Sequence, residues 1–171
     1  MKHSLLILIG MLFFSSSTLA AEQAAPKHID EVRHRTQQVV PFSVEQTRQT
    51  FSKTVHGGVQ HVVAKSADDT KQIKLIQTHL QKIASEFRKG DFSATERMHG
   101  ADMPGLARLK RAQIDDIRYE YKPLADGGQI HFSSEYPQLV QALHEWFDAQ
   151  ATEHGNDSIP GHTQHHSTPA D

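Results

Sequence analysis

Residues 69–90 constrain this chain more than any other stretch. Ile73, Ile76, Leu80, Ile83 and Phe87 recur at steps of three, four, three and four residues, which puts them on one helical face. Lys71, Lys74, Thr78, Lys82 and Glu86 fall largely elsewhere, so the helix has a core face and a wet face. Asp68 or Asp69 can cap its start, with Gln72 placed as a capping box wants. Arg88 and Lys89 suit the negative end of the helix dipole, and Gly90 suits a left-handed residue just past the end. Roughly five turns of about 3.6 residues are long enough to hold a small sheet against one side. His79 adjoins the stripe and reads as a boundary histidine with its ring packed and one nitrogen wet.

The address comes from the first residues. Lys2 and His3 precede the apolar run Leu5–Phe14, a polar Ser15–Thr18 stretch and small residues at Thr18, Ala20 and Ala21. That order describes a cleavable secretory signal, residues 1–20, with cleavage after Ala20. Without a cysteine there is no lipoprotein anchor, no disulfide and no thiolate metal site. No later segment is apolar enough to span a membrane. The expected product is a soluble exported protein, periplasmic in a bacterium. Removing Lys2 takes the formal charge from -2 to -3, which disfavours nucleic acid and anionic membrane as partners.

Composition then narrows the chemistry. The chain carries 13 histidines in 171 residues, and only Met98 and Met103 remain of its 4 methionines once the signal is gone. Any metal chemistry is therefore led by imidazole. Residues 98–106 concentrate these donors: Met98, His99 and Met103 stand in a glycine-bounded loop, with Asp102 expected to cap a short helix that has Pro104 in its first turn. One imidazole and two thioethers are a ligand set that copper(I) accepts. Haem iron accepts a His/Met axial pair, but covalent c-type haem is out because no CxxCH is present. Methionines at such spacing also serve as core plugs.

Residues 21–49 are polar and interrupted by Pro26 and Pro41. They read as a partly disordered leader, with a short, loosely docked helix around Ile29–Gln38 and solvated His28 and His34. From Thr50 the pattern becomes β-like. Phe51–His56 and Val59–Ala64 flank Gly57-Gly58, the dipeptide of a two-residue hairpin turn. That turn pairs His56 with Val59 and Thr54 with His61. Phe51, Val55, Val62 and Ala64 then face the core. His56 and His61 become diagonal neighbours on the outer face, close enough to share a metal ion. An alternating run through Ile117, Tyr119 and Tyr121, an Asp126-Gly127-Gly128 turn and Gln129–Ser133 make a second hairpin, with His131 pointing outward.

Ser134 is the expected cap of a second long helix whose period runs through Leu139, Leu143, Trp146, Phe147 and Gln150 to Gly155. His144 and Asp148 are an i,i+4 pair able to chelate, and His154 suits the helix dipole. Residues 156–171 read as a disordered tail in which His162, His165 and His166 can scavenge metal weakly.

The run from Gly57 to Gly155, above all Gly90-Asp91-Phe92-Ser93, His99 through Leu106 and His144-Glu145-Trp146-Phe147-Asp148, resembles a group of small exported proteobacterial proteins of unsettled function. Some of them carry an aspartate carbamoyltransferase label. This sequence does not support it: the chain is far shorter than that enzyme's catalytic chain, carries an export signal and has no carbamoyl-phosphate loop.

The expected architecture is α+β: an antiparallel four-stranded sheet built from two hairpins, with two long helices on one face, in a single domain over residues 50–155. The expected function is handling of a transition metal, copper ahead of zinc or nickel, through Met98, His99 and Met103, with His56, His61, His162, His165 and His166 as further donors. Two other classes remain. One is a non-catalytic module docking a periplasmic protein on the exposed sheet face, which Val59 and Val63 would favour. The other is a small enzyme using His99 with Asp102 or Asp91, although no GxSxG or HExxH is present.

Overall fold

The computed structural model describes residues 26–155. The signal segment, the first residues of the leader and the tail with His162, His165 and His166 lie outside the described residues. In chain order the elements are α1 (Pro26–Val39), β1 (Thr47–Thr54), β2 (Gly57–Ala64), α2 (Thr70–Phe87), α3 (Ser93–His99), α4 (Leu106–Leu109), β3 (Arg118–Leu124), β4 (Gly127–Ser133) and α5 (Pro137–His154). The strands form one antiparallel sheet in the order β1-β2-β4-β3. The two hairpins thus join through β2 and β4, the strands on the far side of each turn.

Both long helices lie on one face of that sheet, as expected of an α+β fold. Phe132 on β4 meets Phe87 of α2 and both Trp146 and Phe147 of α5, with ring centroids 5.2 to 6.1 Å apart. Tyr119, opposite Phe132 on β3, extends this aromatic cluster to Phe92. Such edge-to-face and offset pairs add about 0.5–1.5 kcal/mol each beyond the area they bury. Among the described residues no helix is long and apolar enough to cross a membrane.

The organising helix forms as its sequence dictates. Asp69 caps α2 by accepting from the Gln72 N–H at 3.0 Å, and Gly90 takes φ +73° beyond its end. The reciprocal half of the capping box does not form. The Gln72 side chain donates instead to the Ser43 carbonyl at 2.6 Å and accepts from the Ser43 N–H at 3.2 Å. It thereby pins the segment before β1 to the start of α2.

Both hairpin turns sit earlier than expected, the first starting two residues sooner and the second one residue sooner. Val55-His56 and Ala125-Asp126 make the turns, and each Gly-Gly pair opens the following strand. Crowding within the sheet is what keeps these positions glycine, and Gly57 also takes φ +151°. A Cβ on Gly57 would stand 2.2 Å from the Phe132 carbonyl oxygen, and one on Gly58 2.6 Å from the Phe147 ring. On Gly127 it would stand 2.1 Å from the Val62 carbonyl oxygen. Consequently Thr50, not Thr54, pairs with His61. The pairing slips by four residues, so the inward set of Phe51, Val62 and Ala64 survives while Val55 is left exposed at the turn.

The leader is the largest departure. Its helix is fourteen residues long and docked, with Val32 fully buried and Thr36 nearly so. It packs against α3 and α5. Strand β1 begins at Thr47, so the expected domain start at residue 50 falls inside a strand. The misreading is intelligible: the helix buries only a narrow strip, and most of its surface is polar and wet.

Candidate functional site

Helix α3 ends at His99 and helix α5 ends at His154, and the two ends meet. His99 is 2% exposed. Its Nδ1–H donates to Oε2 of Glu153, and His28 from α1 donates its Nε2–H to the other carboxylate oxygen at 2.8 Å. An ionised carboxylate only accepts, so both imidazoles present N–H to it, which leaves the lone pair of neutral His99 on Nε2. That nitrogen lies 3.1 Å from Nε2 of His154, with the two rings perpendicular. The His154 ring also stacks on Phe51 of β1, centroids 6.5 Å apart. Three helices and a strand thus fix one array: His28, Glu153, His99, His154.

The electrostatics follow from burial. Burial by itself would raise the Glu153 carboxyl, but the hydrogen bonds it accepts from His99 and His28 outweigh it and hold it below its ordinary value. His154 is lowered to about 4, first by burial and then by the neighbouring His99, with Glu153 opposing. It is therefore neutral, with a nitrogen free to ligate or accept, across the physiological range.

Beside His154 lies a cavity of about 60 Å³ between the sheet and helices α1, α2, α3 and α5. Met98 and His79 are on its wall. His79 packs edge-on against Phe42, as its boundary position implied, and is lowered to about 4 by burial, then by Lys82, against a smaller opposing effect of Glu86. The unfolded chain protonates His79 near 6.5, so the stability this residue contributes is complete above that pH. It is lost as pH falls from 6.5 towards 4. The shift corresponds to up to about 3 kcal/mol. Denaturant melts of wild type and His79→Leu between pH 7 and pH 4 are expected to show the variant with the flatter pH dependence.

The residues expected to form the site are dispersed. Met103 is 4% exposed and belongs to the hydrophobic core, apart from Met98 and the cavity wall. The expected loop is largely helix: α3 runs through Met98 to His99. The short helix starts at Leu106 with Gly105 at its N-cap, not under an Asp102 cap; Gly105 takes φ +76°, and a Cβ there would stand 2.1 Å from the Ala142 carbonyl oxygen. His56 lies in the turn and His61 within β2, bonded at 3.0 Å to the Gln129 side chain, so they are not the diagonal outer-face pair the hairpin predicts. His61 and His131 do share the outer face. Val59, His61 and Val63 are nearly inaccessible there, so the exposed apolar strip expected for partner docking is absent at these positions. His144 and Asp148 do not act as a pair: His144 donates to the Thr54 carbonyl at 2.9 Å, and Asp148 takes Lys53 at 2.7 Å.

The carboxylate that serves His99 is neither Asp91 nor Asp102. Asp91 is exposed and accepts from the Ser93 N–H, which holds its carboxyl below the ordinary value, and Asp102 is exposed. Sequence reasoning missed Glu153, His154 and His28. A signal existed for His154, which continues the step Phe147, Gln150 by four residues on the inward face of α5. None existed for His28, whose partner is 125 residues away. Among the described residues no three His, Asp or Glu side chains gather as a ready-made metal-binding group. No protein-family model, curated protein or solved structure matches this chain at a significant level.

Proposed function

We propose that this is an exported, periplasmic transition-metal-binding protein whose metal seat is the pair His99 and His154, with copper as its metal. The observation that carries the reading is the 3.1 Å approach of the two Nε2 atoms. Two nitrogens each about 2.0–2.1 Å from one ion stand roughly 2.8–3.4 Å apart for angles between a right angle and the tetrahedral one. Glu153 supports the same reading. A ligating histidine that gives its other N–H to a carboxylate is held in the tautomer that aims its lone pair at the metal.

The seat has two nitrogens and needs more donors. Met98 shares the cavity wall with His154, and a thioether beside two imidazoles selects copper(I) over zinc or nickel. His154 exchanges the proton on Nε2 for the metal and carries its N–H on Nδ1 instead. Met103, His56 and His61 have no part in this seat.

The test is copper(I) and zinc titration, by chelator competition, of the untagged protein starting at Ala21. One tight equivalent of copper(I) is expected. His99→Ala and His154→Ala are each expected to weaken it by more than the roughly 10–100-fold typical of an outer-shell partner. A variant with His162, His165 and His166 all changed to Ala is expected to keep it. Tight binding that survives both single substitutions, or that disappears with the tail histidines, overturns the reading.

A second reading rests on the His99–Glu153 pair standing beside a cavity: a small enzyme with His99 as general base. The Nε2 of His99 faces His154, and among the described residues no serine or threonine hydroxyl is bonded to either imidazole, which is why metal binding comes first.

A further inference from the structure

Three large apolar side chains of the described residues stand in water, and one end of the sheet holds all of them. Val55 is 65% exposed, Ile114 74% and Tyr136 48%. The last row of the sheet pairs Thr54 with Gly57, Gly57 with Ser133 and Ser133 with Arg118. Val55 lies one residue beyond that row, Tyr136 three and Ile114 four. Ser134, the expected cap of α5, instead ties these segments together. Its N–H donates to the His56 carbonyl at 2.9 Å. Its hydroxyl donates to the Asp116 carbonyl at 2.7 Å and accepts from the Tyr136 N–H at 3.2 Å. The position of Ile114 is fixed as well. Asp116 closes a turn around it by accepting from the Gln113 N–H at 2.9 Å, and Asp115 takes φ +72°, which no other non-glycine residue among those described does. Such a conformation persists only where its surroundings hold it.

We infer that this rim is the contact between two copies of the chain, an isologous dimer about a two-fold axis. Apolar side chains gathered at one place on a surface mark an interaction site, whereas scattered ones do not. The charges choose the occupant. Arg111 and Arg118, Asp115 and Glu135 flank the three apolar residues, and among the described residues none of the four has an ion-pair partner. The surface that complements this rim is therefore apolar with both signs of charge around it. The rim itself has that composition, which is what a self-complementary contact requires. An anionic lipid surface would meet Asp115 and Glu135 as repulsion. Shape agrees. Beside the rim, α5 and the first turn border an open groove of about 550 Å³ whose apolar side is Val55, Pro137 and Val140. In a two-fold contact Ile114, raised on its turn, enters the groove of the other copy, and the other copy's Ile114 does the same in return.

This contact lies at the start of α5 and the proposed metal seat at its end, 18 residues on, so neither depends on the other. The experiment is sedimentation velocity of the untagged protein starting at Ala21, with a chelator present so that the tail histidines cannot bridge two copies through a metal. Wild type is expected to pass from monomer to dimer between roughly 1 μM and 1 mM, the range of contacts at the small end of specific interfaces. Ile114→Glu and Val55→Lys change exposed positions and are each expected to weaken association by about tenfold or more. Their thermal melts at the lowest concentration are expected to match wild type. Lys122→Glu, exposed on the outer face of the sheet, is expected to leave association as it is. Four results overturn the inference. They are a wild type that stays monomeric at the top of the range, which leaves the rim to a different protein, and association that either apolar substitution leaves unchanged. The others are association that Lys122→Glu weakens as much as they do, and species that grow past the dimer with concentration.

Discussion

Gly127→Ala is expected to destabilise the protein by about 3 kcal/mol or more, enough to leave a marginal domain partly unfolded. Its added Cβ would stand 2.1 Å from the Val62 carbonyl oxygen and 2.7 Å from the Val63 Cα. Both are backbone atoms of the adjacent strand β2, so nothing can swing aside. The two strands must separate just where the hairpins are joined. The φ of Gly127 is not in the left-handed region, so the cost is steric approach and not backbone conformation. Gly90→Ala is the control. Gly90 has φ +73° but nothing within 4 Å of an added Cβ, so only the left-handed conformation is penalised, at about 1–2 kcal/mol. Equilibrium denaturant unfolding of the two variants checks the order. Equal costs would mean that Gly127 serves turn geometry after all.

Glu153→Gln is expected to weaken copper(I) binding by about 10–100-fold while leaving the fold in place. The glutamate accepts from two imidazoles at once, through one oxygen each. An amide of the same shape offers one acceptor and one NH₂, so one of the two histidines must turn acceptor. If that is His99, its proton moves to Nε2 and the lone pair facing His154 is lost. If it is His28, the metal seat keeps its tautomer but loses the carboxylate's charge. Both routes lower affinity. Glu153→Leu goes further and leaves the buried His99 N–H without an acceptor, at about 1–3 kcal/mol of stability. Chelator competition and thermal melts on the same samples separate the two effects. A Glu153→Gln variant that binds copper as tightly as wild type would remove Glu153 from the site.

Periodicity determined much of this molecule. The step pattern from Ile73 to Phe87, the Asp69 cap and the Gly90 stop yield α2 almost to the residue. Alternation through Tyr119 and Tyr121 yields β3, and the run from Leu139 to Gln150 yields α5. Those signals are local, because a helix face or a strand face is chosen by residues within a few positions of one another. From them the α+β architecture and the inward aromatic face were legible.

What tertiary structure alone decided is everything that depends on a neighbour far along the chain. The glycine pairs looked like turns, and only the approach of β2 to β4, and of Phe147 to Gly58, shows that they are spacers. The leader looked unanchored because its helix buries a narrow strip against α3 and α5, which its own composition cannot announce. His99 was legible as a donor. Its partners were not: Glu153 lies 54 residues on, and His28, bonded to the same carboxylate, lies 125 residues before Glu153. A helix end announces its own last residue, but which other end it meets is set by how the helices pack on the sheet, and that is where this site is made.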